Sequence, residues 1–173
     1  MNLLQLFKPI KVFAFDIDGV LTDGTVLVLE NGEQLRGMNI KDGYALQLAV
    51  KKGFRVLAVS GADSQAVKLR LNKLGIEDVF LKVLDKKKKL ENYLEEHQLK
   101  TEELLFMGDD IPDLSAIKIA GVGCAPADAV PEIREAAKYI SPFNGGMGCV
   151  RDVLEKVLKM NNCWDLDEDL ASK

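Results

Sequence analysis

Short unbroken apolar runs recur along the chain, separated by stretches of helical periodicity. Val12 to Phe15 is the first run and stops at Asp16; Val56 to Val59 is the second and stops at Ser60-Gly61. Val79 to Leu81, Leu104 to Met107, Val122 to Ala125 and Tyr139-Ile140 continue the series, and Gly108 follows Met107. Runs without apolar–polar alternation belong to strands covered on both faces, as in a parallel sheet. Between them, Val67, Leu71 and Leu74 share one helical face, with Gly75 placed as a C-terminal cap. Leu90 and Leu94 share another, and the stretches 133–137 and 150–158 read as helices. Strand and helix in alternation predict an α/β fold, a doubly wound parallel sheet.

One segment breaks the rhythm. Val26 to Leu29 is β-prone and Asn31-Gly32 is a two-residue hairpin signal, which predicts a β-hairpin inserted over about 24–41. No internal repeat or low-complexity linker divides the chain, so residues 1–173 are expected to form one domain. The acidic stretch 164–173 reads as a loose tail, and Lys86 to Lys89 as a mostly solvated helix face.

Composition narrows the chemistry. The 173 residues are 47% hydrophobic and carry a net charge of −4, which excludes a disordered chain and argues against nucleic acid as a partner. No apolar run is long enough for a membrane span, and MNLLQLFKPIK lacks the pattern of a secretory leader, so a cytoplasmic protein is expected. Cys124, Cys149 and Cys163 lack metal-site spacing and read as reduced thiols. The single histidine, His97, lies in a polar helical stretch and reads as solvated. One histidine rules out a His₃ zinc centre and leaves no ready base for a Ser-His or Cys-His pair. Carboxylates, lysine and a hard metal remain.

Those groups fall where a parallel sheet places its ligands, beyond the carboxyl ends of the strands. The first strand ends in Asp16-Ile17-Asp18-Gly19, the second in Ser60-Gly61. Asp85-Lys86 follows the third, and Gly108-Asp109-Asp110 with Asp113 follows the fourth. Carboxylates crowded into one crevice repel unless a cation lies among them, and oxygen-only ligands suit Mg2+. Ser60, the Gly61 amide and Lys86 supply donors for an anion at the same mouth. A lone Asp-x-Asp, a lone Gly-Asp-Asp or one lysine among four is ordinary surface. All of them in this order, each at a strand end, are not.

Read together, DIDGVLTDG, a strand ending SG, a following lysine and GDDIPD resemble the four motifs of the haloacid dehalogenase superfamily of phosphohydrolases. With the hairpin, NIKDGYAL, VLDK and a late GGMGCVRD, the chain is similar to its phosphatases of 3-deoxy-D-manno-octulosonate 8-phosphate from about Ile10 to Leu158. The resemblance implies that Asp16 is the nucleophile that becomes an aspartyl-phosphate. It implies that Asp18 protonates the leaving sugar oxygen and then acts as base on water. Mg2+ would be held by Asp16, the Asp18 carbonyl and Asp109. Ser60, Gly61 and Lys86 would bind phosphate, with Asp110 and Asp113 behind them. The product would be a lipopolysaccharide precursor.

Two departures bear on the substrate. Ala62 and Met147 stand where those phosphatases usually carry arginine, with Arg70 and Lys68 as possible replacements. A 9-phosphorylated nonulosonate is therefore the alternative substrate. A phospho-receiver or regulatory domain is the non-enzymatic alternative, and the order of the motifs and the intact Asp16 and Asp18 weigh against it. Neither interval that carries a cap in this superfamily is long enough here for one. A capless monomer with an exposed hairpin predicts a homotetramer, as the resemblance also implies.

Overall fold

A computed structural model describes residues 3–170. It contains a six-stranded sheet in the order β5-β4-β1-β6-β7-β8, every pair parallel. The strands are β1 (Val12–Phe15), β4 (Arg55–Val59), β5 (Asp78–Phe80), β6 (Leu104–Met107), β7 (Val122–Ala125) and β8 (Tyr139–Ile140). A separate two-stranded sheet pairs β2 (Leu27–Val28) with β3 (Gln34–Leu35). The helices are α1 (Leu3–Phe7), α2 (Ile40–Lys51), α3 (Gln65–Lys73), α4 (Lys86–Glu96), α5 (Leu114–Ile119), α6 (Pro131–Ala136) and α7 (Cys149–Met160). From β1 the chain winds one way through β4 and β5, then returns to the other side of β1 for β6, β7 and β8.

The unbroken apolar runs are explained by two cores, one on each face. Successive strand side chains point to opposite faces. Phe13 and Phe15, Val56 and Ala58, and Leu105 and Met107 enter the core built with α2, α3 and α7. Their neighbours Val12 and Ala14, Leu57 and Val59, and Leu104 and Phe106 enter the core built with α4, α5 and α6. At these positions neither face meets water, so neither register carries polar residues.

Some local expectations change. The hairpin turn has three residues, Glu30-Asn31-Gly32, because Val28 faces Gln34 and Leu29 N donates to Glu33 O at 2.9 Å. Gly32 supplies the left-handed residue at φ +85°, while Asn31 stays at negative φ and accepts from Glu33 N at 3.0 Å. A two-residue turn would need positive φ at Asn31 as well. Of the lysine run, Lys86 is buried and only its neighbours face outward. His97 caps the far end of α4, half-buried, and stacks on Tyr93 with ring centroids 4.1 Å apart. The acidic stretch, expected to be loose, is described to Leu170, with 171–173 outside the described residues; 165–170 forms no helix or strand but lies along α2. Asp165 pairs with Lys52 at 2.8 Å and Asp167 with Lys51 at 2.5 Å. The three cysteines are free. Among the described residues no helix is long and apolar enough to cross a membrane, and no cap domain covers the sheet.

Candidate active site

The carboxyl ends of β1, β4 and β6 meet at one cavity of about 310 Å³. Asp16, Asp18, Ser60, Gly61, Lys86, Asp109, Asp110 and Asp113 all line it, so the eight residues given a role in the site arrive at one place. Asp16 leaves β1 with its N–H bonded to Met107 O at 3.0 Å, which ties it to β6. The chain then turns through Ile17–Leu21 around Gly19. Gly19 has φ +87°, and a Cβ there would lie 1.9 Å from Asp109 Oδ2. Glycine is thus what lets the β1 loop pass beside the β6 loop.

Lys86 is the first residue of α4, which Asp85 caps by accepting from Lys88 N at 2.9 Å. Its Nζ reaches Asp16 Oδ1 at 2.8 Å and Asp113 Oδ1 at 2.5 Å, all three groups buried. Burial lowers the Lys86 pKa, but Asp16 and Asp113 outweigh it and raise the pKa, so the ammonium is secure. The other Asp113 oxygen accepts from Asp109 N at 3.0 Å. Ser60 is buried at the end of β4, and its Oγ accepts from Ala62 N at 3.1 Å, which closes the Ser60-Gly61 turn.

Carboxylate oxygens of Asp16, Asp109 and Asp113 lie within 4.8 Å of one another. Burial, then the charge of Asp113, pushes the Asp16 carboxyl up to about 7 despite Lys86. Burial, then Asp16 and Asp113, pushes Asp109 up to about 7 as well. Buried carboxylates that hold protons near neutrality and also repel one another are a donor set suited to a hard divalent cation. Asp113 uses one oxygen on Lys86 and one on the Asp109 amide, which leaves Asp16 and Asp109 as the carboxylates free to ligate. Asp110 is exposed and accepts from Ile111 N at 2.8 Å, shaping the turn.

The Asp18 carboxylate, also at the cavity, is paired with Arg36 just beyond β3 and not with Lys86. Nothing in the motif pattern singled out Arg36; its only sequence signal is its place at the end of the hairpin. Lys68 and Arg70, both in α3, do not line the cavity, although Ala62 does. Met147 lies in a neighbouring cavity of about 750 Å³ with Lys41, Arg151, Lys156 and Lys159.

Residues 72–154 match the family described as haloacid dehalogenase-like hydrolase. The 3-deoxy-D-manno-octulosonate 8-phosphate phosphatase KdsC of Escherichia coli is 32% identical over 151 residues, 87% of this chain and 80% of that one. The chain belongs to the haloacid dehalogenase-like hydrolases. Among the solved structures of such hydrolases, the Moraxella catarrhalis octulosonate 8-phosphate phosphatase is similar with a TM-score of 0.90 at 32% identity, over 94% of each chain. That structure is a complex with a magnesium ion, a phosphate ion and a KDO molecule. The cobalt-bound Haemophilus influenzae phosphatase is similar with a TM-score of 0.87 at 30% identity, over 91% of this chain and 92% of that one. The present hydrolase is thus a phosphoric monoester hydrolase on the family's α/β fold.

Proposed function

We propose that this hydrolase is a Mg2+-dependent phosphatase of 3-deoxy-D-manno-octulosonate 8-phosphate that works through an aspartyl-phosphate. The carrying observation is the buried Asp16–Lys86–Asp113 pairing beside Asp109 at the strand ends. In the first half-reaction an Asp16 oxygen attacks phosphorus, the bond from phosphorus to the sugar oxygen breaks, and Asp18 gives that oxygen its proton. In the second, Asp18 takes a proton from water, the water oxygen bonds to phosphorus, and the bond to Asp16 breaks. The Ser60 hydroxyl, the Gly61 amide and Lys86 hold the phosphoryl oxygens. Lys86 also favours the ionised form of Asp16 and aims it. Asp16, Asp109 and the Asp18 carbonyl would hold the metal, which when bound neutralises charge between the carboxylates and the phosphate. Asp113 fixes Lys86 and the Asp109 amide, and Asp110 shapes the loop.

The similar phosphatases from three bacteria support the octulosonate substrate. A 9-phosphorylated nonulosonate is the second reading, favoured by Ala62 in the cavity lining where an arginine is usual. The same reading takes the chain as one catalytic domain, cytoplasmic, and a homotetramer. Two assays test it. Turnover of p-nitrophenyl phosphate is expected with Mg2+ and not with a chelator. A phosphate-release comparison should then favour phosphorylated 3-deoxy-2-ulosonates over simple hexose phosphates. Metal-independent turnover would sink the mechanism, and a hexose phosphate preference would sink both substrates.

A further inference from the structure

The proposed acid/base residue is held by a side chain that no motif contains. Arg36 Nε donates to Asp18 Oδ1 at 2.6 Å and Nη2 donates to Oδ2 at 3.3 Å. The guanidinium is itself steadied by Gln34, whose main-chain oxygen and Oε1 each accept at 3.4 Å. The Arg36 side chain is 4% exposed, against 30% for Asp18, so the cation is the more buried partner and the carboxylate lies at the rim. A planar fork on both oxygens of a carboxylate fixes its plane and direction as well as its charge.

We infer that Arg36 is a positioning residue for Asp18 in the second half-reaction, the hydrolysis of the phosphorylated Asp16. The inference rests on the roles proposed above for Asp16 and Asp18. Once Asp18 has given its proton to the leaving oxygen, it is a carboxylate. The paired geometry holds that form. Arg36 then keeps the carboxylate aimed while a water enters, gives up a proton to Asp18 and bonds to phosphorus. Without the fork, Asp18 is free to turn, and the step that suffers is the one needing an aligned base. Because Arg36 directly follows β3, the alignment of the base depends on the hairpin being formed.

The test separates the two half-reactions. Arg36→Met should lower kcat by roughly 10-fold or more, less than the ~10²-fold or more that loss of the base itself would cost. KM should fall with it, because the phosphorylated enzyme then accumulates, so kcat/KM changes little. With ³²P-labelled p-nitrophenyl phosphate and an acid quench during turnover, the labelled fraction of Arg36→Met should exceed that of the wild type several-fold. Arg36→Lys, which keeps the charge without the fork, should recover part of kcat. A parallel fall in kcat and kcat/KM with no added label would overturn the inference. So would unchanged kinetics in Arg36→Met. No label on wild type or Asp18→Asn, with wild-type turnover intact, would instead overturn the aspartyl-phosphate reading and Arg36's role with it. Should Arg36→Met fail to fold, the same readouts on Arg36→Lys decide.

Discussion

Asp16 and Asp109 show what the site costs the fold at the scale of single residues. Each carboxyl is pushed up to about 7 from an ordinary value near 4, mainly by burial and then by neighbouring carboxylates. The folded state therefore holds protons that the unfolded chain has already lost. The sign follows: in metal-free protein, stability falls as pH rises from about 4 through 7. A scan of Tm in chelator should show a higher value at pH 5.5 than at pH 8, by at least ~4 °C. Mg2+ should remove most of that difference at pH 8 by replacing the protons. Asp109→Asn removes a charge whose other carboxylate neighbours all oppose it. Metal-free Asp109→Asn should thus melt above wild type at pH 8, yet gain nothing from Mg2+ and turn over poorly. A lower Tm for this variant would mean that the carboxylates are not in conflict. Asp16→Asn should abolish turnover, since an amide is a poor nucleophile. Asp18→Asn should retain the Mg2+-dependent rise in Tm while slowing turnover by about 10²-fold or more, because only its carbonyl is proposed to ligate. These residues were readable from the sequence because strand ends locate ligands in a parallel sheet. Arg36 was not, because it reaches Asp18 across 18 positions through a hairpin whose path depends on the folded structure.

Among the elements, the strands were the legible part. Burial on both faces makes them short and unbroken in apolar residues. Helix α2 escaped the pattern for a related reason. Asp42, Gly43 and the span from Ala45 to Ala49 are mostly or wholly buried, so no polar stripe marks a solvent face, and Gly43 interrupts the helical propensity. Helix α5, six residues long, spans too few turns to show a period. The packing of α2 on α7 carries a polar device that only the structure reveals. Gly148, the N-cap of α7, has no side chain to cap with; Asp42 Oδ1 accepts from Arg151 N at 2.8 Å instead. The other Asp42 oxygen has no hydrogen-bond partner, and burial pushes the carboxyl up to about 6. An amide keeps the acceptor and removes the buried charge. Asp42→Asn should hold or raise Tm at pH 8, whereas Asp42→Ala should lower stability by about 1–2 kcal/mol, the scale of a lost N-cap. Equal losses in both variants, read by thermal melting at pH 8, would show that the charge and not the acceptor matters.

Over the whole molecule, part of the exposed apolar surface lies where a monomer has least use for it. On the hairpin, Leu27 is 60% exposed, Val28 65% and Leu35 48%. At the rim of the site, Leu84 is 99% exposed and Ile111 51%. A two-stranded hairpin is marginal in water, and its outer edges offer unpaired backbone groups to another strand. Phosphoryl transfer meanwhile gains from excluding water, and among the described residues nothing folds over the cavity. Pairing of hairpins between subunits answers both needs. It would bury the apolar side chains and bring a neighbour's surface to the open mouth. Because Arg36 ends the hairpin and grips Asp18, assembly would also steady the base. Light scattering at micromolar concentration should therefore give four times the 19.1 kDa chain mass. Val28→Glu places a charge in the proposed interface without touching the cavity lining. It should yield smaller species, with turnover of the sugar acid phosphate reduced several-fold and partly restored as protein concentration rises. A fully active monomer at micromolar concentration would mean that the hairpin serves Asp18 within one chain and is not an assembly device.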